Sequence, residues 1–584
     1  MKRLLLSVLL LFLCSNLFSQ NNWNLVWKMD QMPFQAPQEG SEMAIVKAGL
    51  DTDKDGWGEF LCAYTDMPAS TGNYLLMYEA NADNSYDTVW YFKYPLPAAS
   101  FAGIAVGDID NNGKVDIVTT MPTSANAANP NPPRLWVFEW NGVVGENKYG
   151  NYTSGTLEPT NAWNFELPNN YDFRPYGLTI EDIDKDQENE LIVGVRQRGS
   201  GTLEREVIVA SVAGELSGFG SWVIEYDLRG LYGGGLYNVT TGDLDNDGNR
   251  EIYAFVWNLF RLYIIECTGP NQYALVDSLK QIYAAQGIDY GALDGVRVSD
   301  VNYDGINELY IAGTEEQNTL FIITNITDVS KITASDVKEF YHIPVKGNQN
   351  SDGVGRLRSM WVADPDGDGK LSLMIAGERN GQIFDFEYSG QGDPADSTSW
   401  NNYVAFDIWD YSGFPPDAPT SLHPRLFYGS PTCPQGPIDE FNLPLCDMDQ
   451  DGLAEYVFVN YSSSFEVWQN DAYVWVLEVQ PQTGIKDELL NSPNGFVLKQ
   501  NYPNPFNPST SIQYALNSAE FVTLKVYDAL GTEVATLVSE EKAAGIYQAE
   551  FNPASIIKNP ASSIYFYRLQ AGNYSETKKM ILMK

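Results

Sequence analysis

An acidic loop of one design recurs seven times along the 584-residue chain. It reads Asp, any residue, Asp or Asn, any residue, Asp or Asn, usually Gly, and four residues past the third acidic position usually a carboxylate. The copies begin at Asp51, Asp108, Asp182, Asp243, Asp300, Asp364 and Asp447. Each lies between two short apolar runs whose alternation and β-branched or aromatic content mark them as strands. A chain that repeats such a unit folds as a repeat architecture, because no single unit can bury its own apolar faces.

Around the second loop the order of runs is plain. Gly103–Gly107 leads into the loop and Val115–Thr119 leaves it. Leu135–Glu139 follows, and Ala162–Glu166 closes the unit. A long helical pattern is absent from this region. Four strands per unit and seven units predict an all-β fold, a seven-bladed β-propeller, since propellers are built from about four to eight four-stranded blades. The last unit, with strands near Tyr456–Val459 and Tyr473–Val479, lacks a fourth strand, whereas Trp23–Lys28 is a spare one. Pairing the two would close the ring and remove its exposed edges.

Charge narrows the partners. The chain holds 76 acids against 36 bases, a formal charge of -40. Nucleic acid is excluded as a partner, because phosphate binding needs a basic face. A cation suits the chain. Calcium takes six to eight oxygens, and carboxylates at alternate positions of a tight loop can point several at one centre. In the fourth copy Asp243, Asp245 and Asp247 would converge, Gly248 would allow the turn, and Glu251 would return from the next strand. A lone copy would be an ordinary solvated turn, since Asp, Asn and Gly favour turns; seven in register are not explained that way.

These loops and their flanking strands resemble the FG-GAP/VCBS repeats of integrin-like β-propellers, over residues 20–480. The resemblance implies several structural calcium ions, held by side chains at loop positions one, three, five and nine and a backbone carbonyl at seven. Carried over, the ligands are Asp51, Asp53, Asp55 and Glu59; Asp108, Asp110, Asn112 and Asp116; Asp182, Asp184, Asp186 and Glu190; Asp243, Asp245, Asp247 and Glu251; Asp300, Asn302, Asp304 and Glu308; and Asp447, Asp449, Asp451 and Glu455. The sixth copy offers Asp364, Asp366 and Asp368, but Ser372 replaces its last carboxylate, so that site is expected to be the weakest. The third copy has Gln187 where Gly is usual, which questions its turn.

The loops join first to second strands. The opposite face would carry the longest connections, Met121–Arg134, Tyr461–Asp471 and Tyr411–Leu443. It would also gather the rings of Phe34, Tyr171, Phe173, Tyr176, Tyr232, Tyr237, Trp409, Tyr411 and Phe414. Binding surfaces concentrate on loops held by a rigid scaffold, so this face is expected to receive a glycan or protein, in a binding or adhesion role. The competing structural expectation is that the rings only pack the loops. Catalysis finds little support. Only His342 and His423 are present, and no nucleophile pattern, phosphate loop, zinc spacing or dinucleotide fingerprint occurs. Abundant carboxylate pairs leave an extracellular polysaccharide lyase or glycoside hydrolase as the alternative.

The ends concern export. Met1-Lys2-Arg3, the apolar run Leu4–Leu13 and a polar stretch to Gln20 match a secretory signal over residues 1–19, cut after Ser19. The run is too short to span a membrane, and no other stretch approaches that length. Cys62 and Cys267 lie in strands as small apolar side chains; Cys433 and Cys446 flank a Pro-rich loop, where a disulfide would suit an exported chain.

A turn-rich linker, 481–495, precedes a module at 496–584 read as a small antiparallel β-sandwich of immunoglobulin-like type. Its strands are Ser511–Tyr514, Val522–Tyr527, Gly545–Phe551, Ile564–Leu569 and Lys578–Leu582. Asn501-Tyr-Pro-Asn-Pro-Phe-Asn-Pro-Ser-Thr510, Val526-Tyr-Asp-Ala-Leu-Gly531 and the ending through Lys578 to Lys584 closely resemble the type A C-terminal sorting domain of the type IX secretion system. The resemblance implies a partner in that secretion machinery, and a bacterial protein that crosses the periplasm to be secreted or attached to the outer-membrane surface.

Overall fold

The computed structural model describes most of residues 23–582; the longer stretches outside the described residues are 1–22, 34–41, 67–71, 125–130, 217–221, 277–294, 314–318, 344–355, 409–425, 432–446, 462–470, 480–495 and 554–562. The chain is all-β apart from short 3-10 turns such as Val329–Lys331 and Ser397–Ser399. It divides into two compact units. One comprises Trp23–Asp366 and Lys370–Gln480, and the other contains Pro481–Lys584.

The larger unit holds a succession of antiparallel sheets, most of them four strands in chain order, with a separate hairpin of Asn151–Thr153 and Thr156–Glu158. Sheet one is Glu42–Leu50, Glu59–Thr65, Tyr74–Ala82 and Ser85–Lys93; sheet two is Gly103–Gly107, Asp116–Thr120, Leu135–Glu139 and Asn161–Trp163. Sheet three is Asp172–Glu181, Glu190–Arg198, Glu204–Val212 and Trp222–Tyr232, with Thr123–Ser124 added at its first strand. Sheet four is Leu236–Gly242, Glu251–Val256, Arg261–Gly269 and Gln272–Val276, and sheet five is Val296–Ser299, Glu308–Ala312, Thr319–Ile323 and Lys338–His342. Sheet six is Arg356–Ala363, Ser372–Glu378, Gln382–Tyr388 and Trp400–Asp407.

Sheet seven draws on both ends of the unit. Leu426–Pro431, Glu455–Asn460 and Val474–Val479 are completed by Trp23–Met29. The N-terminal strand runs antiparallel to Val474–Val479, as its spare position in the sequence implies, with a one-residue slip between Leu25 and Trp27. That slip is a β-bulge, which no alternation pattern announces. The strand touches the sheets on either side: Trp23 Nε1 donates to Asp385 Oδ2 of sheet six at 3.0 Å, and Trp27 packs edge-on against Phe60, Tyr78 and Tyr86 of sheet one.

Burial follows position. Middle strands such as Glu59–Thr65, Ser372–Glu378 and Val474–Val479 are buried along their whole length. Outer strands such as Gln272–Val276 alternate, as a half-solvated strand should. The apolar clusters straddle neighbouring sheets rather than filling one centre: one joins Tyr253, Phe255 and Ile264 to Leu309 and Phe321, and another joins Phe384 and Trp400 to Tyr310 and Ile322. First strands meet in a closed cycle, each touching the first strand of the next sheet, and that of sheet seven touching Glu42–Leu50 of sheet one. Glycine makes two of these approaches possible. A Cβ at Gly103 would lie 2.1 Å from Tyr176 O, and one at Gly242 would lie 2.4 Å from Val298 Cβ.

Three expectations change. Tyr411–Leu443 is not one loop, because Leu426–Pro431 within it is the first strand of sheet seven. Its run Leu-Phe-Tyr-Gly-Ser-Pro reads as turn because of Gly429, which a tight packing site requires: a Cβ there would collide with the Tyr456 ring. The fourth strand of sheet two ends at Trp163, since Phe165 and Glu166 turn left-handed at φ 59° and 48°. Phe173, Tyr176 and Tyr237 are buried and pack between sheets rather than offering a surface. Phe34, Trp409, Tyr411 and Phe414, the pair Cys433 and Cys446, and the signal segment lie outside the described residues. Cys62 and Cys267 are buried thiols, as expected.

In the second unit two antiparallel sheets share a core. Phe496–Leu498, Thr510–Leu516 and Gly545–Phe551 form one; Glu533–Lys542, Glu520–Asp528, Ser563–Ala571 and Tyr574–Leu582 form the other. Ile512, Tyr514 and Phe551 of the first pack with Leu524, Tyr567 and Met580 of the second.

Replacing Trp27 by Ala removes the ring that joins the closing strand to sheet one. Loss of a large packed aromatic costs about 3 kcal/mol. The denaturant midpoint is expected to fall accordingly, with an unchanged denaturant dependence.

Candidate metal centres

Each acidic loop joins the first strand of its sheet to the second. The seven share one backbone. Position four is left-handed throughout: φ is 61° at Lys54, 55° at Asn111, 61° at Lys185, 57° at Asn246, 57° at Tyr303, 68° at Gly367 and 66° at Gln450. Position six is left-handed as well, from 77° at Gln187 to 93° at Gly452. Gln187 therefore makes the same turn as the glycines, at the steric cost that an L side chain meets there.

Three hydrogen bonds hold the turn, and six of the seven copies make all three. The position-six amide donates to the position-one carboxylate, as from Gly113 to Asp108 at 2.7 Å, Gln187 to Asp182 at 3.2 Å and Gly248 to Asp243 at 3.0 Å. The same bond runs from Gly56 to Asp51, Gly305 to Asp300 and Gly452 to Asp447. The position-seven amide donates to the position-five side chain: Asp55, Asn112, Asp186, Asp247, Asp304 and Asp451 each accept at 2.7–3.0 Å. The position-two amide donates to one oxygen of the position-nine carboxylate, which fixes Glu59, Asp116, Glu190, Glu251, Glu308 and Glu455 against their own loops.

The remaining oxygens decide what the loops can hold. Glu59 Oε1, Asp116 Oδ1, Glu190 Oε1 and Glu251 Oε1 are buried with no protein partner, as are Asp182 Oδ1 and Asp243 Oδ1. Oxygens of Asp243, Asp245, Asp247 and Glu251 lie within 4.8 Å of one another, and so do those of Asp447, Asp449, Asp451 and Glu455. In the first copy Asp51, Asp53 and Glu59 converge, and Asp53 also converges with Asp55 and Glu79. Calcium–oxygen distances are about 2.3–2.6 Å, so ligands of one ion lie no more than about 5 Å apart. The donor sets are all-oxygen, acidic and convergent, and they fit a hard divalent cation. In the fifth copy Asn302 lowers the charge, and its Nδ2 donates to Asp304 Oδ2 at 2.9 Å.

Burial raises these carboxyls. It carries Glu251 and Glu308 up to about 8 and Glu190 up to about 9, with neighbouring acids adding to the shift. Asp53 is pushed up to about 7 by burial and then by Asp55 and Glu79, and Asp447 up to about 6 by burial. Glu59 and Asp116 lie well above the ordinary carboxylate range for the same reason.

Sequence reasoning missed two features. First, the third strand places a glutamate directly opposite position nine: Glu79 faces Glu59, Glu139 faces Asp116, Glu266 faces Glu251, Glu387 faces Ser372 and Glu478 faces Glu455. The sixth copy thus has the buried Glu387 beside its missing carboxylate, with Lys370 Nζ 3.6 Å away. An apolar strand that ends in Glu, repeated five times, was the signal. Second, the loops are joined sheet to sheet. Position-three carboxylates accept from the third-to-fourth turn of the next sheet, from Leu216 N to Asp110 at 2.8 Å, Val329 N to Asp245 at 3.0 Å, Asn84 N to Asp449 at 2.6 Å and Asn271 N to Asp184. Position-four side chains reach the position-six carbonyl of the next loop, as Asn111 does at Gln187 and Gln450 at Gly56.

In the second unit the Pro-rich segment is strapped to the last two strands. Tyr567 Oη donates to Lys499 O and accepts from Asn501 N, both at 2.7 Å, and Ile581 N donates to Asn504 Oδ1 at 2.8 Å. Residues 500–583 match the family model described as secretion system C-terminal sorting domain. The tail is the sorting domain of the type IX secretion system, and the chain is a bacterial protein that is secreted or attached to the outer-membrane surface. No curated protein matches the chain. Among solved structures, the chain is similar to a fungal lectin of Aleuria aurantia, described as a six-bladed β-propeller with a novel fucose recognition mode, at 12% identity and a TM-score of 0.30 over 63% of this chain and 97% of that one. It is also similar to the Dos1 propeller, at 8% identity and a TM-score of 0.36 over 79% of this chain and 94% of the other. Among the described residues no helix is long and apolar enough to cross a membrane.

Gln187→Gly is expected to raise stability by about 1 kcal/mol, by relieving the left-handed strain, as a shift of the denaturant midpoint. The raised carboxyls set a pH dependence. From about pH 4.5, where such groups titrate in the unfolded chain, up to about 8, where Glu251 and Glu308 titrate folded, the folded state holds more protons. Stability of the metal-free protein therefore falls as pH rises through that window. Thermal melts in chelator should show a lower midpoint at pH 8 than at pH 5, and calcium should reverse that order.

Proposed function

We propose that the larger unit is a calcium-held, seven-bladed propeller of the FG-GAP/VCBS type, and that it serves outside the cell as a binding or adhesion module for a glycan or a protein. The carrying observation is the set of loops with one backbone, with buried carboxylate oxygens that lack protein partners in the first four copies and converging donor sets in the first, fourth and seventh. The cyclic contacts of the first strands and the strand shared between the two ends of the unit support a closed ring of seven blades. Asp51, Asp53, Asp55 and Glu59, with their counterparts in the other copies, would hold the ions. Bound calcium would neutralise the converging carboxylates and favour the folded state alone. The second unit, a β-sandwich of immunoglobulin-like type, addresses the protein for export.

Acids crowd the loop face, whereas cations gather at the opposite ends of the inner strands. Arg196 lies over the rings of Phe101 and Tyr237 at 5.7 and 5.0 Å, and Arg358 over Tyr237 at 5.2 Å. Arg174 and Arg205 stand at the same ends of sheet three. Arg358 is buried against Glu378 at 2.8 Å and Arg174 pairs with Asp172 at 3.0 Å, so these guanidiniums hold the inner strand ends together and name no charge on a partner. The test is a melt of the full chain with calcium and with excess chelator, followed by an array of glycans and proteins probed with the calcium-loaded chain. A large drop of the midpoint in chelator, and calcium-dependent retention of a glycan or protein, are expected. An unchanged midpoint with no calcium by elemental analysis would sink the ion assignment, and an array without retention the binding role.

A further inference from the structure

Resting on the calcium reading above, we propose that Asp53, Asp55 and Glu79 form a second divalent-cation seat beside the first loop, with Asp53 bridging two ions. One oxygen each from Asp51, Asp53 and Glu59 lies within 4.8 Å of the others, and one each from Asp53, Asp55 and Glu79 does the same. Two all-oxygen triads therefore share one carboxylate, and each is compact enough for one calcium ion.

Asp53 differs from its counterparts in the other loops. At Asp110, Asp184, Asp245 and Asp449 a backbone amide from the next sheet caps one oxygen. In the first loop that amide, Gly145 N, binds the Asp53 main-chain carbonyl instead, at 3.1 Å. The Asp53 side chain is fully buried, and apart from the nearby Asp55 amide of its own loop neither of its oxygens has a protein partner. A buried carboxylate needs compensation from both lone-pair directions, and two cations supply it.

The charge around Glu79 agrees. Of the four equivalent glutamates, Glu139 and Glu387 each face a lysine from loop position seven, Lys114 and Lys370, whereas position seven is Asn249 in the loop of Glu266 and Leu453 in that of Glu478. In the first loop position seven is Trp57, which brings no charge. Asn147 Nδ2 donates to Glu79 Oε2, which leaves the other oxygen for the ion. A cation there does for Glu79 what lysine does in sheets two and six. It also ties the first loop to the third strand of its own sheet and, through Gly145 and Asn147, to sheet two.

Anomalous diffraction from crystals of the full chain grown with calcium tests this. Two peaks about 4 Å apart are expected on either side of Asp53. Glu79→Gln should lose the peak near Glu79 and keep the one near Glu59, and calcium per chain in solution should fall by one. Trp57→Lys, which copies the lysine of sheet two and keeps the main-chain carbonyl, should do the same. One peak at the first loop, alongside peaks at other loops, would overturn the second seat and leave the calcium reading intact. An unchanged calcium count in both variants would also overturn it. No peak at any loop would overturn both.

Discussion

Carboxylates forced together in a buried turn are the constraint on which this structure depends. Two like charges about 4 Å apart repel by about 4 kcal/mol even at an effective dielectric constant of 20. The first, fourth and seventh loops each assemble three or four such groups, with some oxygens removed from water. A domain is stable by only about 5–15 kcal/mol, so the sum over several loops could not be carried by packing alone. The charge has to be cancelled by protons or by cations. The raised carboxyls of Glu251, Glu308 and Asp53 express the first route, and the convergent oxygens make the second available.

The same loops are structural joints. The Asp110, Asp184, Asp245 and Asp449 carboxylates receive amides from the following sheet, and Asn111 and Gln450 reach the following loop. Whatever fixes a carboxylate therefore also fixes the angle between two sheets. Ring closure depends on a different interaction, the pairing of Trp23–Met29 with Val474–Val479. Both act locally, yet the cycle of first strands carries each to the whole unit.

Much of the fold was legible because the determining interactions are short in sequence. Strands were marked by alternation around each loop, and the spare strand at Trp23 by the missing one in the last unit. Legibility failed where a single residue serves a distant neighbour. Gly429 breaks a strand pattern because Tyr456 leaves no room for a Cβ. Glu533–Lys542 was passed over because its acidic, half-exposed face resembles a solvated turn, although it pairs with Glu520–Asp528 over its length. Tyr176 and Tyr237 read as surface rings because they sit near loops, and the approach of sheets three and four buries them.

Sequence alone determined the acidic make-up of the loops, their turn and the export address, since all three lie within a few consecutive residues: alternate Asp, a left-handed position six, and a Pro-rich segment ahead of the tail. Only the tertiary structure decided which oxygens lose their partners and which keep them. That choice rests on contacts between residues far apart in the chain, such as Asn84 with Asp449 and Gly145 with Asp53. It also rests on strand register, which set Glu79 opposite Glu59 and Glu387 opposite Ser372. Register and closure are long-range properties, and no window of sequence contains both partners.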